Sequence, residues 1–139
     1  MPQVVVLQQI KAPVEKVFSF VGNVETHPRI APFAKEVRIT SPGGHKGAGT
    51  RFHQVFHDRP ECDSEIKVWQ PHSRIVWHNF VGGSAKPAQI ISYYFEQVGG
   101  VTHVLHTVDN EAYENQTLHR GGTEENIAEL GNLKRLMEE

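Results

Sequence analysis

The sequence predicts an α+β fold: one curved antiparallel sheet of seven strands wrapped around a C-terminal helix, with two short helices after the first strand. Three observations carry that expectation. An alternating apolar segment, Gln3 to Ile10, runs directly into a helix-starting Pro13. Strand and turn signals alone then follow as far as Asp109, and a single amphipathic segment closes the chain. A sheet bent around a helix leaves a gap that side chains of ordinary size do not always fill, so the same order of elements predicts a cavity.

The elements follow in order. Gln3 to Ile10 is β-branched and apolar, and Lys11-Ala12-Pro13 stops it. Val14, Val17, Phe18 and Val21 recur at helical spacing, with Gly22-Asn23 as the stop and Val24 to Arg29 as one further turn before Pro32. Val37 and Ile39 alternate with Glu36 and Arg38, which places a second strand at Ala34 to Thr40. Ser41-Pro42-Gly43-Gly44 through Gly49 reads as a flexible connection. Strands then fall near 50–57, 61–70 and 73–80, separated by Asp58-Arg59-Pro60 and Pro71-His72. Gln89 to Gln97 and Val101 to Asp109 flank Gly99-Gly100, which suits a tight primed turn. In the closing segment Ile127, Leu130, Leu133, Leu136 and Met137 are assigned to one side, with Thr123 as N-cap. Ala112 to Arg120 is either a helical extension kinked at Gly121-Gly122 or a loop, and the apolar stripe has a second possible use as a dimer surface.

Composition narrows the function classes. With 139 residues the chain fits one domain, residues 1–139, large enough to bury a core without disulfides or metals. The formal charge is -2 and the cations are scattered, so no basic stripe argues for nucleic acid. The single Cys62 and the lack of a leader-like pattern after Met1 predict a cytoplasmic protein. No apolar run approaches the roughly 18 residues of a membrane span.

Several local patterns together resemble a known superfamily. Ile10-Lys11-Ala12-Pro13-Val14-Glu15-Lys16-Val17-Phe18 leads to the turn before His27-Pro28, and Gly49-Thr50-Arg51 enters a strand. Gln70 to Trp77 forms a hairpin, Tyr94-Phe95-Glu96 precedes Gly99-Gly100, and Glu125-Asn126-Ile127-Ala128-Glu129-Leu130 lies in the closing segment. In order and spacing this is similar to the START-like/Bet v 1-like (SRPBCC) superfamily, and in particular to its polyketide cyclase/dehydrase-like group. The resemblance implies a helix-grip fold, in which a seven-stranded antiparallel sheet grips a long C-terminal helix over a ligand cavity. The Gly121-Gly122 interruption departs from the usual uninterrupted last helix.

A two-residue turn at Gly99-Gly100 pairs Val98 with Val101, and counting outward sets Phe95 opposite Val104, Tyr93 opposite His106 and Ile91 opposite Val108. That face is more apolar than the one carrying Ser92, Tyr94 and Glu96, so it is taken as the inner one. The same alternation turns Ile66, Val68, Ile75 and Trp77 inward, with Asn79 following, unless a β-bulge reverses the strand. The expected ligand-facing residues are therefore Trp77, Asn79, Ile91, Phe95, Val104, Val108, Ile66, Val68, Phe18, Ile127 and Leu130. Tyr93 and His106 are the candidate catalytic pair: cross-strand partners lie roughly 4.5–5.5 Å apart at Cβ, a His near pKa 6.5 accepts a proton at neutral pH and a Tyr donates a hydrogen bond. Such a pair suits aldol-type ring closure, and the plainer alternative is that the two satisfy each other in a cavity wall.

The nine histidines do not make a metal site on this reading. His53 and His57 stand about 13 Å apart along one strand, His103 and His106 fall on opposite faces, and no HExxH helix or cysteine cluster occurs. No cofactor is expected. The reading is a protein that holds a small hydrophobic molecule, aromatic or polyketide-like by the resemblance, as a monomer or homodimer, with cyclisation or dehydration as its possible chemistry. The alternatives are a non-catalytic lipid or isoprenoid (quinone-like) carrier and an interaction or stress module whose cavity is filled by its own side chains.

Overall fold

A computed structural model describes residues 1–44 and 46–139; His45, part of the expected flexible connection, lies outside the described residues. Seven strands, Gln3–Ile10 (β1), Ala34–Ile39 (β2), Arg51–Phe56 (β3), Cys62–Gln70 (β4), Arg74–Phe80 (β5), Gln89–Val98 (β6) and Val101–Asp109 (β7), form one antiparallel sheet in the order β1-β7-β6-β5-β4-β3-β2. Neighbours in sequence pair as hairpins except at β1, which closes the sheet beside β7 with Val6 opposite His106. The connection from β1 to β2 is made by helix α1 (Val14–Gly22) and a 3₁₀ turn, Val24–Arg29. Val17, Phe18 and Val21 of α1 are buried, so this connection roofs one end of the curled sheet.

The closing helix α2 spans Gln116–Met137, about 33 Å at 1.5 Å per residue. It starts seven residues before the expected cap. Asn115 caps it by accepting from the backbone N–H of Thr117 and Leu118 at 2.9 and 3.1 Å, while Thr123 instead donates its hydroxyl to the His119 carbonyl at 2.9 Å inside the helix. Gly121 and Gly122 do not break it. A Cβ on Gly122 would meet the Tyr113 ring at 2.7–2.9 Å, so the glycine here makes room for an aromatic side chain. Two tethers hold α2 beside the edge strand β1: His119 Nε2 donates to the Gln3 carbonyl at 2.8 Å and Lys134 Nζ to the Gln9 carbonyl at 3.1 Å. These cover backbone acceptors that a bare edge strand would offer to another chain.

Two expected facings are overturned. Ile127 is 55% exposed, whereas Asn126, Glu129, Leu130, Leu133 and Met137 are buried. At about 100° per residue, Ile127 and Leu136 lie on opposite sides of the helix, so they cannot share a stripe; spacings of four, three and four from Asn126 to Met137 trace the true inner face. Val68 is the second case. The β4–β5 pairing shifts register between Ile66 and Val68, so Ile66 still pairs with Trp77 but Val68 pairs with Val76 on the outer face, and Trp69 takes the inward position opposite Ile75. The extra residue is in β4, so β5 keeps Ile75, Trp77 and Asn79 inward as the alternation requires.

Candidate functional site

The inner face of the sheet is divided into a filled end and an open one. At the filled end Phe18 of α1 meets Trp69 and Phe95 edge-on, with ring centroids 5.1 and 5.3 Å apart. Large aromatic side chains leave little room there, and Phe18, Phe95, Ile66, Val104 and Leu130 serve as buried core rather than as pocket wall. At the open end a pocket of about 210 Å³ lies between the sheet and α2. Trp77 and Asn79 of β5, Ile91 and Tyr93 of β6, and His106 and Val108 of β7 line it, together with Gly122, Asn126 and Glu129 of α2. Six of the expected site residues are thus brought together around one space.

The rim is built on the β3–β4 turn and α2. The Arg59 guanidinium donates to Glu125 at 2.7 Å and lies over the Phe33 and Phe56 rings at 5.0 and 5.9 Å. Both ends of this bridge are partly exposed, at 36% and 33%, so it crosses the opening rather than the floor. Along one wall runs a polar chain: Gln54 Nε2 donates to Ser64 Oγ and to Asn79 Oδ1, and Asn79 Nδ2 donates to Gln89 Oε1, at 3.0–3.2 Å. The Cys62 thiol nearby is pushed up to about 11 by burial, which keeps it protonated and removes it as a nucleophile.

The buried end holds a cluster of ionisable side chains. Tyr93 and His106 face each other across β6 and β7 with their rings stacked, centroids 4.1 Å apart and planes within 7°. They do not satisfy each other. The Tyr93 hydroxyl donates to Glu129 Oε2 at 2.6 Å, and burial followed by the Glu129 charge raises the phenol well above its ordinary value. His106 places Nδ1 3.1 Å from the Ser92 carbonyl, a contact that requires the proton on Nδ1, and Nε2 then faces Glu129 Oε2 at 3.6 Å. On the other side of the same carboxylate His27 Nε2 stands 3.8 Å from Oε1, and burial lowers the His27 pKa against the opposing pull of Glu129. Tyr93, His106 and Glu129 are each no more than 1% exposed.

Glu129 and His27 are the functional candidates that sequence reasoning did not single out. The signal for Glu129 was present: it stands three residues after Asn126 and four before Leu133, on the same helix face, and an ionisable residue on the buried face of an amphipathic helix is a rare placement. His27 carried none, because its approach to Glu129 joins residues 102 apart in sequence and depends on how the 3₁₀ turn docks. Among the described residues no group of three or more His, Cys, Asp or Glu side chains is arranged to hold a metal ion.

No family model matches the chain, and no curated protein matches it in sequence. Solved structures match over nearly its whole length. The Zhui aromatase/cyclase from Streptomyces sp. R1128 superimposes with a TM-score of 0.77 at 13% identity, covering 99% of this chain and 93% of its own. The fold is Bet v 1/polyketide cyclase-like. The Aha1 dimer from Colwellia psychrerythraea gives 0.76 at 18% identity, covering 99% and 97% of the two chains. A hypothetical protein from Helicobacter pylori gives 0.80 at 11%, covering 98% and 88%. At such identities the likeness establishes the helix-grip architecture alone. Among the described residues no helix is long and apolar enough to cross a membrane.

Proposed function

We propose that the pocket binds a small hydrophobic ligand of aromatic or polyketide-like chemistry, entering past the Arg59–Glu125 bridge. The observation that carries this reading is the pocket's composition: an apolar wall of Trp77, Ile91 and Val108 ends on buried polar groups that fix orientation, the usual make-up of a small-molecule site. A volume of about 210 Å³ lies below the roughly 300–1,000 Å³ of drug-sized sites, so it suits one or two rings and argues against an isoprenoid chain. The aromatase/cyclase with the same fold supports the ligand class by analogy. The buried Cys62 thiol fits a reducing, cytoplasmic setting.

A second reading adds proton-transfer catalysis, aldol-type cyclisation or dehydration, with Tyr93 and His106 in the acid–base machinery. It is favoured by Glu129: burying a carboxylate costs several kcal/mol before its partners offset it, and a container for hydrophobes has no use for one. Titration calorimetry with 1-naphthol tests the binding reading. Saturable one-to-one binding that weakens at least tenfold in Ile91→Trp, which fills the pocket, is expected. No binding to wild type, or equal affinity in the variant, would retire it. In Tyr93→Phe and His106→Ala, a carrier loses only modest affinity, whereas an enzyme keeps binding and loses turnover.

A further inference from the structure

Among the ionisable groups at the closed end of the pocket, the proton on Tyr93 is committed to Glu129 and that on His106 Nδ1 to the Ser92 carbonyl. The faces of both rings are covered by each other, and both residues are no more than 1% exposed. His27 differs on each count. It lines the pocket, its side chain keeps 10% of its surface, and neither ring nitrogen makes a hydrogen bond to a described residue. Its Nε2 faces Glu129 Oε1, an oxygen that accepts no hydrogen bond from the described residues, while Oε2 is taken by Tyr93. Its ring is fixed from two other sides, edge-on against Trp77 at 5.9 Å and Phe33 at 6.3 Å.

We infer that His27 is the group that exchanges a proton with the bound molecule, that Glu129 is its positioning carboxylate, and that Tyr93 holds Glu129 from behind through its hydroxyl. This rests on the pocket reading above and narrows the ligand to one with an acidic C–H beside a carbonyl. A proton on Nε2 directed at Glu129 leaves the Nδ1 lone pair as base, the arrangement in which a carboxylate stabilises an imidazolium. The step balances without a co-reactant. Nδ1 takes the proton from the carbon next to the carbonyl, and the C–H electron pair moves into an enolate. In ring closure the enolate carbon bonds to a second carbonyl carbon of the same molecule, and the resulting alkoxide recovers the proton from the imidazolium.

The test uses 2-tetralone, a two-ring ketone, in D₂O, with loss of the proton NMR signal at C1, the benzylic carbon beside its carbonyl, as the readout and calorimetry as the independent measure of binding. Wild type is expected to exchange that position faster than buffer, and His27→Gln to lose roughly 100-fold or more of the acceleration while binding within threefold. His106→Gln is expected to keep more of it. Exchange that survives in His27→Gln, or that is lost only in His106→Gln, overturns the assignment; binding without exchange in wild type does so too. No binding of 2-tetralone overturns the pocket reading instead. As a second measure that needs no variant, 2-naphthol, an analogue of the enol, is expected to move the His27 Cε1–H resonance to its imidazolium position at neutral pH. An unmoved resonance in the bound protein counts against His27.

Discussion

The adjacent glycines of α2 offer a sharp comparison, because Gly121→Ala and Gly122→Ala make the same chemical change in the same helix with opposite surroundings. Alanine stabilises a helix interior by about 1 kcal/mol over glycine. At Gly121 nothing lies within 4 Å of the new Cβ, so the whole gain should appear. For a domain of this size that is a rise in Tm of about 2–5 °C. At Gly122 the new methyl would stand 2.7 Å from Tyr113 Oη and 2.8 Å from Cζ. Ordinary contact begins near 3.4 Å, so the phenol ring must retreat by about 0.7 Å. Overpacking of this kind costs about 1–3 kcal/mol, which cancels or exceeds the helix gain. Tyr113 also lines the pocket, so its retreat should change affinity for 1-naphthol, which Gly121→Ala leaves alone. Urea and thermal denaturation of both variants, with calorimetry, checks this. Equal stabilisation by the two, with equal binding, would refute the claim that Gly122 is there to admit Tyr113.

Tyr93→Phe removes the donor to a buried carboxylate and should cost about 1.5–3 kcal/mol in urea denaturation, with much of the loss absent in a Glu129→Gln background if the 2.6 Å bond is its source. Two histidines should give opposite pH signatures. Burial lowers the His27 pKa, so as pH falls through the ordinary 6.5 the unfolded chain takes up a proton that the folded one refuses, and stability drops; His27→Gln should flatten that acid-side loss between pH 7 and 5. His53 is raised, first by its hydrogen bond to Asp63 and then by that to Glu61. Its contribution is full below 6.5 and is lost as pH rises through its folded value, and it is small because the carboxylates are exposed. His53→Gln should therefore remove an alkaline-side loss, and a variant whose stability changes in the reverse direction would break the linkage.

Local pattern reached far into this protein. The turn at Gly99-Gly100 pairs Val98 with Val101, and because strand side chains alternate strictly, that one pairing carries Tyr93 opposite His106 and Ile91 opposite Val108. The order of all seven strands and both helices follows from similarly short-range signals. Docking decided the rest. An extra residue in β4 sent Val68 outward and brought in Trp69, which alternation by itself does not register. Glu129 meets Tyr93 across 36 residues, and His27 across 102, only once α2 lies against the curled sheet. Backbone periodicity is a property of a few neighbouring residues and can be read along the chain; which polar groups share a buried space depends on how whole elements pack, and that is where the chemistry of this pocket was set.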